Sequence, residues 1–260
     1  MKRVGLIAGS GRLPLLFAEA AARAGLSVVA VAHEGETDPS LAADAWVKLG
    51  QLGRIAEVLR DGGCSEAVLC GGIRKPRLFD VRPDWLGLKA LARMRSFGDD
   101  AALRAIALAL EEEGVRIVSP LPLVPELLAP RGKVGALGFS AEQRADAEAG
   151  LSAARALGAQ DIGQTVLVRK RVVLAVEAVE GTDACIARGG ALGRGATVVK
   201  ARKPQQDDRF DVPAVGPRTI AAMAAAGCAA LAVEAGTTLI LDRAELVAAA
   251  DRAGIAVEGV

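Results

Sequence analysis

Short continuous apolar runs alternate with longer amphipathic stretches through the first part of the chain. Residues 4–8, VGLIA, are followed by the glycine turn Gly9-Ser10-Gly11, a helical pattern over 13–24 that stops at Gly25, and a second apolar run over 27–32. Runs of that length bounded by glycine predict buried strands, and apolar positions three and four apart predict a helix between them. This is a βαβ opening, and its crossover implies parallel strands. A helix over 52–61 stopped by Gly62-Gly63, a strand over 66–70 ending at Gly71-Gly72, a helix over 101–113 and a strand over 115–119 continue the pattern.

The texture then changes. Pro120, Pro122, Pro125 and Pro130, followed by Gly132, Gly135 and Gly138, mark a boundary, since prolines and glycines in such density interrupt regular elements. The expected organisation is a domain over 1–130, a connection over 131–139 and a second domain over 140–260. In the second domain a helix over 140–157 precedes strands over 162–169 and 171–176. Then come a helix over 183–188 capped by Thr182 and stopped by Gly189-Gly190, and a strand over 196–201. A helix over 218–226, strands over 229–234 and 238–241 and a final helix over 242–253 complete it.

Composition narrows the classes. The 260 residues carry a formal net charge of +1, 3% aromatic residues and no Tyr, which supplies neither a basic field nor stacking platforms for nucleic acid. Cys64, Cys70, Cys185 and Cys228 lack paired spacing, and His33 is the single histidine, so neither a zinc site nor a disulfide framework is expected. The amino terminus is interrupted by Arg12, Pro14 and Glu19 too early for a signal peptide, and no uncharged apolar run is long enough to span a bilayer. The expectation is a cytoplasmic protein, peripheral to the membrane at most.

The candidate chemistry gathers at predicted strand ends. GSGRLP departs from the dinucleotide fingerprint because Pro14 stands where the third glycine belongs. The turn either cradles a phosphate with backbone N–H groups, aided by Ser10 and Arg12, or is a tight strand-to-helix connection. Lys75 follows the second glycine pair and reaches the same crevice if the two strands are neighbours. Between Arg74 and Arg95 seven basic residues meet two acids, with Trp85, Leu86, Leu88, Leu91 and Met94 interleaved. That pattern suits an anionic membrane surface, an acyl groove or a surface helix packed on the sheet. Asp99 and Asp100 either cap the next helix or hold a magnesium-bound phosphate. The densest stretch is 172–216, where Glu177, Glu180 and Asp183 leave one strand and Lys200 and Lys203 leave the next.

Six segments in this order, AGSGRLP, CGGIRKP, SFGDDAALR, VVLAVEAVEGTDACIARGG, KARKPQQDDRFDVPAVGPRTI and AVEAGTTLILD, resemble the LpxI-type UDP-2,3-diacylglucosamine pyrophosphatases of lipid A biosynthesis, nearly from end to end. The resemblance implies an α/β chain with a Rossmann-like parallel-sheet amino-terminal domain, a second α/β domain and a ligand cleft between them. It implies magnesium-dependent hydrolysis of UDP-2,3-diacylglucosamine to UMP and 2,3-diacylglucosamine 1-phosphate (lipid X), in the cytoplasm at the inner membrane face, and leaves a homodimer open. Magnesium would be held by Glu177, Glu180, Asp183 and Asp211, with Glu177 and Asp183 also catalytic, because oxygen-rich sites suit that ion. Substrate contacts would come from Gly9, Ser10, Gly11, Leu13, Pro14, Lys75, Pro76, Asp99, Asp100, Thr165, Gly181, Thr182, Lys200, Lys203, Gln206 and Gly216. Their lysines and N–H groups would hold the non-bridging oxygens.

One departure stands out. The resemblance implies an aspartate where Ala225 stands, and alanine neither ligates a metal nor carries a proton, so a catalytically impaired chain that still binds substrate is implied, by engineering or divergence. Two other readings stay open: a nucleotide- or lipid-sensing binding protein using the same cleft without hydrolysis, and a nucleotide-dependent oxidoreductase.

Overall fold

The computed structural model describes residues 2–73, 81–94 and 99–260, the side chains of Asp99 and Asp100 excepted. The chain forms two units, one of Met1–Pro125 with Asp207–Asp211, the other of Glu126–Gln206 with Val212–Val260.

The first unit runs β1 (Arg3–Ala8), α1 (Leu13–Arg23), β2 (Ser27–His33), β3 (Ala45–Val47), α2 (Leu52–Asp61), β4 (Glu66–Cys70), α3 (Trp85–Arg93), α4 (Asp99–Glu112) and β5 (Arg116–Ile117). The five strands are parallel in the order β3-β2-β1-β4-β5. The order reverses between β1 and β4, which is the place where open α/β sheets take ligands outside their carboxyl ends. Strand burial explains the continuous apolar runs: Leu6, Ile7, Val31 and Val68 are covered on both faces. Phe210, from the short segment counted with this unit, is buried in its core with the Arg209 guanidinium 4.7 Å from the ring centroid. The edge strand β3 had no legible signal, being three residues long.

The second unit contains β6 (Gly132–Lys133), α5 (Ala141–Ala159), β7 (Thr165–Arg169), β8 (Val172–Val176), α6 (Thr182–Leu192), β9 (Thr197–Lys200), β10 (Ala214–Val215), α7 (Pro217–Ala226), β11 (Ala230–Val233), β12 (Leu239–Ile240), α8 (Arg243–Ala253) and β13 (Ala256–Gly259). Six strands form one mixed sheet in the order β6-β13-β11-β9-β7-β8, and β10 pairs with β12 apart from it. β9, β11 and β13 are parallel, and β7 runs against both β9 and β8, so β8 and β9 point the same way. α5 starts at a capping box in which Ser140 accepts from Gln143 N while the Gln143 side chain accepts from Ser140 N.

Both boundaries of α6 differ from the sequence expectation. Gly189-Gly190 does not stop α6, which continues to Leu192. Both glycines are packing positions instead, since a Cβ at Gly189 would come within 2.6 Å of Leu167 and one at Gly190 within 2.4 Å of the Ala226 carbonyl oxygen. The cap of α6 is Gly181 rather than Thr182, whose hydroxyl is used elsewhere.

The β7–β8 hairpin turns through Lys170 and Arg171, both left-handed at φ 50 and 62. The buried Asp146 carboxylate of α5 holds this turn by accepting from Lys170 N at 3.1 Å and Arg171 N at 2.5 Å. β8 is an edge strand with a register irregularity opposite Leu167 and Val168, and its Val172 and Val173 are exposed.

Candidate functional site

In the first unit the two glycine loops at the switch point close on each other. Gly9 N–H donates to Cys70 O at 2.8 Å, Ser10 N–H and the Ser10 hydroxyl to Gly72 O at 2.7 and 2.8 Å, and Gly72 N–H to Ser10 O at 3.3 Å. The approach is backbone to backbone: a Cβ at Gly9 would lie 2.5 Å from Gly72 O, and one at Gly71 would lie 2.3 Å from Ser10 O. The expectation that Gly9 and Ser10 present N–H groups to a phosphate is therefore corrected, because both are spent on carbonyls. Gly11 and the orphan donors that begin any helix remain at the start of α1. Leu13 and Pro14 are buried, and Pro14 packs beside Gly71. Lys75 and Pro76 lie outside the described residues, as do the side chains of Asp99 and Asp100.

Beside this clasp sits His33, the single histidine of the chain. Its Nδ1 lies 2.9 Å from Ala8 O, which also accepts from the Thr37 hydroxyl at 2.6 Å. A carbonyl only accepts, so the neutral ring carries its proton on Nδ1. Burial is the main cause that lowers the His33 pKa below 6.5. The unfolded chain then binds the proton more readily than the folded one, so stability is full above about pH 6.5 and lost as pH falls through the folded value. Thermal unfolding between pH 7.5 and 5 is expected to show this loss, and His33→Asn, which keeps a donor but cannot titrate, to flatten it. An unchanged acid limb in that variant would assign the loss to other groups.

The second unit brings the predicted residues together at one edge. The carboxyl ends of β8 and β9 lie on the same side of the sheet, and β7 begins there between them. Lys200 ends β9 opposite Thr165 of β7, whose carbonyl in turn accepts from Glu177 N at 2.8 Å. Gly163 allows this approach, since a Cβ there would sit 2.1 Å from Glu177 O. Thr182, in the first turn of α6, donates its hydroxyl to Glu177 Oε1 at 2.7 Å and receives the Lys200 ammonium at 3.3 Å. Lys200 is buried, with no carboxylate in salt-bridge range among the described residues. Three side-chain oxygens here are buried without a partner: Glu177 Oε2, Thr165 Oγ1 and Gln164 Oε1. Buried polar atoms are nearly always satisfied, so open ones beside a buried lysine and a helix start make this edge the candidate site. Gln164, which precedes Thr165 and accepts from Ala201 N at 3.0 Å through its carbonyl, is a residue the sequence reading did not single out.

The other expected residues stand around this core or away from it. Glu180 is bound by Arg188 at 2.7 Å, which holds its carboxyl below the usual range. Asp183 meets Arg218 at 3.2 Å at the surface. Lys203 is paired with Asp161 at 2.6 Å, and the buried Gln206 closes the loop by accepting from Lys203 N at 3.1 Å. Gly181 and Gly216 precede the first turns of α6 and α7. Asp211 is exposed in the segment counted with the first unit.

Ala225 lies elsewhere. It is exposed in the last turn of α7, next to Gly227, whose carbonyl accepts from Gly195 N at the amino end of β9. Lys200 occupies the opposite end of that strand. A carboxylate at position 225 would project into solvent across the sheet from the cluster, so the geometry gives no basis for a catalytic role there or for impairment through Ala225.

No group of three or more His, Cys, Asp or Glu side chains that could hold a metal occurs among the described residues. Glu177, Glu180, Asp183 and Asp211 thus do not form a preformed magnesium cage. Glu177 Oε2 alone has the open, buried oxygen that fits a single-carboxylate hold. All four cysteines are free and buried, and burial pushes the Cys185 thiol up to about 12.

Comparison with known proteins covers both units. The family model of the LpxI N-terminal domain matches residues 3–127, and that of the LpxI C-terminal domain residues 130–258. The UDP-2,3-diacylglucosamine pyrophosphatase LpxI of Caulobacter vibrioides is 38% identical over 274 residues, spanning 100% of this chain and 98% of that protein.

Proposed function

The chain belongs to the LpxI family, and on that premise we propose that it hydrolyses UDP-2,3-diacylglucosamine to UMP and 2,3-diacylglucosamine 1-phosphate. The observation that carries the proposal is the end-to-end match to the Caulobacter enzyme, and the strand-edge cluster supports it chemically. Lys200, the Thr182 hydroxyl and the first N–H groups of α6 would hold the non-bridging oxygens of the pyrophosphate, where charge builds as water attacks phosphorus. Thr165 and Gln164 would orient polar groups beside it. Magnesium binds through one or two carboxylates together with substrate phosphates; it would supply charge neutralisation when bound, and Glu177 would hold it. We place the reaction in the cytoplasm at the inner membrane, where the diacylated substrate resides.

The test is UMP release from UDP-2,3-diacylglucosamine with magnesium and after chelation. Release that chelation stops is expected, and Ala225→Asp is expected to leave the rate unchanged. Tight binding of the substrate with no release would overturn hydrolysis in favour of a binding protein. A rate that rose only in the aspartate variant would overturn the assignment of the site to the Lys200 edge.

A further inference from the structure

α3 is seated firmly by one face and leaves the other unused. Asp84 caps it by accepting from Gly87 N at 2.9 Å, and the same carboxylate accepts from Gly53 N of α2 at 2.7 Å. Leu86, Gly87 and Ala90 are buried, with Gly87 so near Gly50 that a Cβ would lie 2.3 Å from its carbonyl oxygen. These contacts seat α3 by its inner face. The outer face carries Trp85 at 81% exposure, Leu88 at 49% and Leu91 at 43%, three residues apart and so on one side of the helix.

The neighbouring α4 adds to the same surface. Glu112 receives both Lys89 and Arg93 of α3, at 2.8 and 2.7 Å, and Leu108, one turn earlier on α4, is 54% exposed. The acid at the border is thus offset by two cations, and Arg82 adds another just before the helix. A tryptophan at the tip of an apolar strip with lysine and arginine along its flank matches the headgroup level of a membrane, apolar inward and cationic toward anionic lipid. The indole N–H of Trp85 has no acceptor among the described residues.

We propose that the outer face of α3, with Leu108 of α4, docks the protein on an anionic bilayer. The choice of a bilayer over a second copy or another protein rests on the lipid substrate of the proposed function as well as on this charge pattern. The surface would hold the enzyme where its diacylated substrate is dissolved.

The chain has two tryptophans, so Trp46→Phe leaves Trp85 as the sole fluorophore. Vesicles of phosphatidylglycerol and phosphatidylethanolamine without substrate are expected to shift Trp85 emission to the blue, and brominated acyl chains to quench it. Phosphatidylcholine vesicles should bind more weakly. Trp85→Ser with Leu88→Ser should weaken vesicle partition about tenfold or more, since two apolar side chains leave the contact. The double variant should hydrolyse detergent-dispersed substrate at the parent rate. No shift or quenching at any vesicle concentration would overturn the proposal, as would a blue shift that grows with protein concentration without vesicles, which would mark a second copy on this face. Equal binding to phosphatidylcholine would overturn its anionic part. Vesicle binding through Trp85 in a chain that releases no UMP would sustain the docking surface and overturn only the hydrolytic reading.

Discussion

Replacing Lys200 with methionine is expected to lower kcat/KM for UMP release about 10²- to 10³-fold, the usual loss when one preorganised donor to a developing charge is removed. The prediction rests on burial and pairing together. Lys200 is buried, and its ammonium reaches the Thr182 hydroxyl but no carboxylate within salt-bridge range among the described residues. A buried cation so poorly compensated costs the fold rather than supporting it. Its presence at the end of β9 is better explained by an anionic ligand than by stability. Methionine keeps the length and apolar stem while deleting the charge, so the melting temperature should stay level or rise. Steady-state kinetics and thermal unfolding of the same variant separate the two roles. A melting temperature several degrees lower with activity preserved would make Lys200 a structural residue.

The second large effect concerns stability. Gly71→Ala is expected to cost about 3–5 kcal/mol, combining a left-handed backbone with a hard clash. Gly71 has φ +85, and its added Cβ would fall 2.3 Å from Ser10 O. Since that oxygen is main chain and itself accepts from Gly72 N–H, it cannot swing aside as a flexible side chain would. The melting temperature of the first unit should drop by about 10–20 °C. Gly11→Ala supplies the contrast. Gly11 has a similar φ of +90, but nothing lies within 4 Å of an added Cβ, so only the backbone cost of about 1 kcal/mol should appear. Equal melting of the two variants would show that contact between the glycine loops is not what makes Gly71 necessary.

What was legible in the sequence follows from where the information resides. β1, α1 and β2 could be read directly because burial on both sheet faces writes continuous apolar runs, and a helix between them writes a period of three to four. β6 and β10 are two residues each and β13 only four, with Glu258 inside it, so no periodicity marks them. Gly189-Gly190 shows the limit of local rules. A glycine pair reads as a helix stop until Leu167 and Ala226 are seen pressing against it. At the candidate site the residue types were legible, since Glu177, Thr182 and Lys200 all drew attention as polar groups at strand ends. Their assembly was not. It depends on Thr165 facing Lys200 in register and on Gly163 admitting Glu177, which are properties of pairing rather than of any one stretch. Ala225 shows the converse limit: similarity of a helical segment says nothing about which end of the sheet a given turn occupies.

The β8 edge has a meaning for survival in a crowded solution. A free edge with two exposed valines is a template on which a second chain can add a strand and begin to aggregate. The irregularity opposite Leu167 and Val168 bends that template, and the adjoining Arg169, Lys170 and Arg171 act as charged gatekeepers. The left-handed conformation of Lys170 and Arg171, held by Asp146, is therefore more than a way of reversing the chain. It fixes a cluster of cations beside an exposed edge strand, where solubility during folding is easily lost.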